Sequence, residues 1–183
     1  TTTGDAVSFL SAVTLNGGAA TVTIDTTTGT GNAVGQNITF TGTVNVNTAN
    51  TESLSLNAGT AGLISAGAIG GGKALGTLTV TNSGGASFNA VSAANVVISD
   101  TTATKTVDFA GNLTVGTAMS AVGTANAYNV AIRGGTNSIA GATATIFANT
   151  GTLRLGDGGD TTTFANGVTH TVGTGTLISG TVT

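Results

Sequence analysis

Two carboxylates set among glycines come closest to a chemical site in this sequence. They are Asp157 and Asp160, in the run Leu155-Gly156-Asp157-Gly158-Gly159-Asp160-Thr161. A turn of this composition can present carboxylates and free carbonyls to a hard cation, and calcium takes oxygen ligands of that kind. Gly/Asp motifs that bind calcium repeat in tandem, whereas this one occurs once. The same pair could serve as acid and base in polysaccharide cleavage, with Arg154 nearby. Such chemistry calls for further cations and aromatic sugar platforms, and the chain has no Trp and one Tyr. A solvent-exposed turn of Asx type is therefore expected, with calcium at Asp157 and Asp160 as the metal candidate.

The other reactive residues are scattered. His170, in Val168-Thr169-His170-Thr171-Val172, is assigned to the outward face and has no second His or Cys to share a metal. Thr-x-Thr steps recur at Thr21/Thr23, Thr39/Thr41, Thr77/Thr79, Thr79/Thr81 and Thr169/Thr171. Regular arrays of this kind could order water as ice binders do, but these are unevenly spaced, and structural Thr ladders are expected instead. Lys73, Lys105, Arg133 and Arg154 are dispersed and read as solubilising charges, and Tyr128 as a core or turn aromatic. No catalytic residue, bound metal or cofactor is expected.

The elements that carry these residues follow from composition. Thr, Gly, Ala, Val, Asn and Ser supply 142 of the 183 residues. Only 6% are charged and 39% are hydrophobic, with a net charge of −3. Disorder wants the opposite balance, high charge and low hydrophobicity. Thr and Gly are poor helix formers, while β-branched Thr and Val suit strands. An all-β chain is expected. Four basic residues cannot neutralise a row of phosphates, so nucleic-acid binding is not expected. No run of about 18 apolar residues could form a membrane-spanning helix. With no Cys, neither a disulfide framework nor a thiolate metal site is possible.

Short runs with apolar residues two apart recur throughout: Ile38/Phe40, Leu54/Leu56, Leu78/Val80, Val96/Ile98, Val107/Phe109, Leu113/Val115, Val130/Ile132 and Leu153/Leu155. Period two puts one face inward and one outward. Gly/Asn/Asp clusters separate the runs, and Ile38–Val46, Ile139–Phe147 and Phe164–Val172 read as single strands. Six Phe and one Tyr are too few large side chains for a wide core, and a solenoid needs only a narrow one. Zero Pro fits a stack in which almost every strand is paired on both sides. The tripeptide Asp-Thr-Thr recurs at Asp25, Asp100 and Asp160. Those intervals suggest coils of about 20 residues and hence about 9 coils. Residues 1–183 read as one domain, and neither Thr1–Ala12 nor Leu177–Thr183 reads as a cap. A segment of a longer chain, or a subunit that stacks, is expected.

The stretch Ser53–Phe88 carries a resemblance. Leu56-Asn57-Ala58-Gly59, then Gly70-Gly71-Gly72, then Ala74-Leu75-Gly76-Thr77-Leu78-Thr79-Val80 resemble repeats of large exported bacterial surface proteins of the filamentous haemagglutinin and autotransporter-passenger type. The likeness implies a right-handed parallel β-helix and a role at the cell surface or outside the cell. A rigid stalk or fibre used in adhesion is expected, self-associating end to end or continuing into flanking coils and touching host or matrix polysaccharide. A surface-layer lattice protein and a β-helix polysaccharide-acting enzyme are the alternatives.

Overall fold

The computed structural model describes residues 4–27 and 33–183. Among them are 19 strands and no helix. The chain opens with β1 (Val7–Phe9), β2 (Val13–Leu15) and β3 (Thr21–Asp25), followed by β4 (Ile38–Phe40), β5 (Val44–Val46) and β6 (Ser53–Asn57). The middle has longer, bent strands: β7 (Ile64–Ile69), β8 (Leu75–Asn82), β9 (Ala86–Ile98), β10 (Thr106–Phe109) and β11 (Leu113–Ala121). Then come β12 (Asn129–Ile132), β13 (Thr136–Ile139), β14 (Thr145–Phe147), β15 (Thr152–Leu155), β16 (Thr161–Phe164), β17 (Val168–His170), β18 (Gly175–Ile178) and β19 (Thr181–Val182).

Every pairing is parallel, and the strands stack in three ladders. The first runs β1, β4, β7, β9, β10, β12, β15, β18. The second runs β2, β5, β7, β9, β11, β13, β16, β19. The third runs β3, β6, β8, β9, β11, β14, β17. The chain is a parallel β-solenoid, with about six turns between β3 and β17 and a partial turn beyond.

Coils are longer than the expected 20 residues. Val7, Ile38, Ile64, Ala86, Val107, Val130, Leu153 and Thr176 share one line of the first ladder, so successive coils take 31, 26, 22, 21, 23, 23 and 23 residues. Fewer turns therefore fit than the nine expected. The error lay in the Asp-Thr-Thr spacing. Asp25 ends β3 and Asp100 follows the end of β9 in the same ladder, but three coils apart rather than four. Asp160 instead precedes β16 in the second ladder and is not in their series.

Alternation places the core as expected. Ile38, Phe40, Leu54, Leu56, Leu78, Val80, Val96, Ile98, Val107, Phe109, Leu113, Val115, Leu153 and Leu155 are all buried. Aromatic rings join the stack along the axis. Phe9 lies on Phe40 with centroids 4.9 Å apart, and Phe147 meets Phe164 edge-on at 6.4 Å. Three long runs divide at corners: Ile38–Val46 into β4 and β5, Phe164–Val172 into β16 and β17, and Ile139–Phe147 into the end of β13 and β14.

Inside the corners the core is polar. Thr26, Ala58, Ser83 and Thr101 are fully buried at one corner. Thr26 Oγ1 donates to the Gln36 carbonyl at 2.8 Å, and the Ser83 and Thr101 hydroxyls are 3.1 Å apart. Between β13 and β16, buried Asn137 accepts from Leu113 N–H and donates to the Gly134 carbonyl and Thr162 Oγ1. These bonds satisfy polar groups that burial would otherwise penalise. They let Thr and Asn sit inside a chain that has few large apolar residues.

Candidate functional site

The Asp157/Asp160 turn joins β15 to β16. Gly156, Gly158 and Gly159 all have positive φ, which an L side chain rarely adopts. This backbone turns the Asp157 and Gly158 amides back onto one oxygen, so Asp160 Oδ2 accepts both, at 2.5 and 3.3 Å. Asp160 is buried. It closes its own turn rather than pointing at solvent. Asp157 points elsewhere and meets Arg133 Nη1 at 3.1 Å. The two carboxylates are thus held by different partners. Among the described residues, no group of three or more His, Asp or Glu is arranged to hold a metal.

Arg133 is the centre of the charged surface. Its Nε and Nη2 donate to the two oxygens of Asp108 at 2.9 and 2.6 Å, and its Nη1 donates to Asp157. The hydrogen bonds and charge of Asp108, with a smaller contribution from Asp157, raise the guanidinium pKa further above its ordinary value. Asp108, Arg133 and Asp157 belong to successive coils, 25 and 24 residues apart. A bidentate fork of this kind is the stronger form of ion pair. It links three coils on the outside as the ladders do inside.

Beside this cluster lies a trough of about 390 Å³, lined by Thr106, Asp108, Asn129, Ala131, Arg133 and Arg154, with Leu177 at its lower end. Its origin is a register. Asp108, Ala131, Arg154 and Leu177 follow one another in a single outward column of the first ladder. Adjacent parallel strands are about 4.8 Å apart, so the Ala131 methyl group sits between the Asp108 carboxylate and the long Arg154 side chain. The depression is the volume that Ala131 does not fill. The wall is a second column: Thr106 pairs with Asn129, whose Oδ1 accepts both Thr152 N–H and Thr152 Oγ1. Arg154 donates Nε to the Gly156 carbonyl at 2.9 Å, and among the described residues no carboxylate pairs with its guanidinium.

Two single residues and the outward Thr pairs complete the picture. His170 was assigned to the outward face, but residues 168, 170 and 172 share one parity. His170 pairs in register with buried Phe147 and is half-buried, with Nε2 3.1 Å from the Asn149 carbonyl and Nδ1 2.9 Å from Thr176 Oγ1. Tyr128 is fully buried and donates its phenol to the Val122 carbonyl at 2.7 Å. Outward Thr and Ser pairs align in two short arrays: Thr21/Thr23, Ser53/Ser55 and Thr77/Thr79 stack in β3, β6 and β8 until Val97 interrupts the column, and Thr136/Ser138 stack with Thr161/Thr163 in β13 and β16, with Thr181 beyond.

Sequence reasoning found Arg154, Asp157 and Asp160 and missed the joining of Arg133 to Asp108. The usable signal was spacing: oppositely charged residues one coil apart on one face. No family model matches the chain, nor does any curated protein or solved structure.

Proposed function

We propose that this chain is part of a rigid β-solenoid stalk or fibre that stands at a bacterial surface or in its extracellular matrix and serves adhesion. The solenoid is taken as right-handed, because crossover connections between parallel strands are right-handed in about 98% of cases. The role is mechanical and interfacial. Ladders running along the rod supply stiffness, and outward Thr, Ser and Asn supply hydration and polar contact.

The observation that carries this reading is the state of the two end coils. At one end the inward residues Phe9, Val13, Val22 and Ile24 pack on the core yet remain partly exposed. At the other end Ile178, in register with buried Leu155, is 60% exposed. Among the described residues the end strands pair with a neighbouring coil on one side only, and their partly exposed apolar side chains are what another coil would cover. Among the described residues no helix is long and apolar enough to cross a membrane. The scarcity of charge leaves little repulsion to oppose stacking.

Negative-stain imaging and light scattering of the purified chain test this. End-to-end stacking into rods is expected, at widths that do not grow with concentration. A monodisperse monomer at high concentration would overturn the proposal.

A further inference from the structure

We infer that the trough over β10, β12 and β15 binds the carboxylate-bearing sugar unit of an acidic saccharide, with Arg154 as its anion clamp. The choice of a saccharide rests on the adhesion reading; the site itself rests on its own geometry.

The first observation is charge. Asp108, Arg133 and Asp157 hold one another in place, which leaves the Arg154 guanidinium as the trough-lining cation without a carboxylate partner among the described residues. Its Nε is pinned by the Gly156 carbonyl, so the planar head is oriented before any ligand arrives. A guanidinium fork matches a carboxylate in shape and hydrogen bonding. Two arginines and two aspartates make the region close to neutral. A ligand with one negative charge suits that balance. A phosphate dianion or a run of acidic residues would meet Asp108 and Asp157 with more charge than Arg154 offsets.

The second observation is shape. Asp108 and Arg154 are two strands apart, roughly 10 Å, with Ala131 as the floor between them. The volume of about 390 Å³ falls at the low end of small-molecule sites. It suits one or two sugar rings, and an open trough lets a longer chain pass through. The third observation is the lining. Thr106 and Thr152 offer hydroxyls along one wall, and Asp108, fixed by Arg133, offers oxygens to sugar hydroxyls. Leu177, 59% exposed, gives an apolar surface for the C–H face of a ring. One carboxylate, several hydroxyls and one apolar face together describe a uronic acid.

The test is titration of the purified chain with oligosaccharides of glucuronic or galacturonic acid, against their neutral glucose and galactose counterparts. Binding is read by NMR shifts or calorimetry. The open shape predicts dissociation constants on the order of 1 mM, weakening as salt is raised. The neutral sugars should bind at least about tenfold more weakly. Arg154→Ala should lose that preference, and Ala131→Leu, which fills the floor, should lose binding to both. Both variants should keep the wild-type melting temperature and still stack into rods, which separates failure of the site from failure of the adhesion reading. Equal binding of neutral and acidic sugars, undiminished uronate binding by Arg154→Ala, a preference for acidic peptides, or no uronate binding at tens of millimolar would each overturn the inference.

Discussion

Phe109 lies on Phe88 one coil away, ring centroids 5.5 Å apart and planes 19° from parallel, because the backbone register pairs the two residues directly. Both rings are fully buried. A solenoid core has no second layer to move into a gap, so removing one ring leaves a cavity that the coils above and below cannot close. Phe109→Ala is expected to cost about 3–5 kcal/mol, measured by urea unfolding.

Glycine serves close approach as well as turns. A Cβ on Gly111 would sit 1.4 Å from the Asn89 carbonyl oxygen in the neighbouring coil, while one on Gly175 would meet nothing within 4 Å. Gly111→Ala is expected to force the corner apart and to prevent folding or lower the melting temperature by many degrees. Gly175→Ala should stay within about 0.5 kcal/mol of wild type. Parallel thermal melts of the pair check this, and equal stability would contradict the close packing of that corner.

The buried strand pattern was legible because alternation is local. All sixteen inward positions named from period two are buried. Corners were less legible. At Thr41-Gly42-Thr43 there is no Asn-Gly or Pro signal, and Gly42 is needed because a Cβ there would meet the Ser11 carbonyl carbon at 2.4 Å. Such a contact spans a whole coil and leaves no mark nearby. The Asp108–Arg133–Asp157 cluster stayed hidden for the same reason. Its members are neighbours only if a coil takes about 24 residues, and a coil of 20 puts them out of line. Asp160 was read correctly as a turn former but not as a buried one, since burial depends on the chain folding back over it.

Tyr128 offers a direct optical test of the polar corner. Burial, and then the charge of Asp100, push its pKa well above the ordinary 10.0. As the single Tyr it can be followed by phenolate absorbance. The folded chain should show no ionisation at pH 10, where half the unfolded chain has lost its phenol proton. The stability linked to this proton is fully present below about pH 10 and is lost as pH rises from there toward the raised folded value. Tyr128→Phe should cost about 1–3 kcal/mol, because the Val122 carbonyl loses its donor.

The Asp160 turn predicts indifference to metal. Its carboxylate is engaged by backbone amides and that of Asp157 by Arg133. Excess EDTA should leave the melting temperature unchanged, and added calcium should not raise it. Asp160→Ala should destabilise the chain whether or not calcium is present. A melting temperature that falls in EDTA and recovers with calcium would contradict this assignment.

The parallel ladders also decide how the molecule would yield to a pull. Hydrogen bonds between neighbouring strands point along the rod, so tension on its two ends loads them one rung at a time. The outermost coil is paired on one side only and detaches first, exposing the next as a new outermost coil. In the lower half each detachment frees 23 residues, roughly 75 Å of extended chain. The Arg133 clamp ties Asp108 to Asp157 across that path and adds resistance at one point along it. A solenoid pulled in this way would lengthen in steps under load and spend energy at each one, as a shock absorber does, while the coils not yet reached keep their shape.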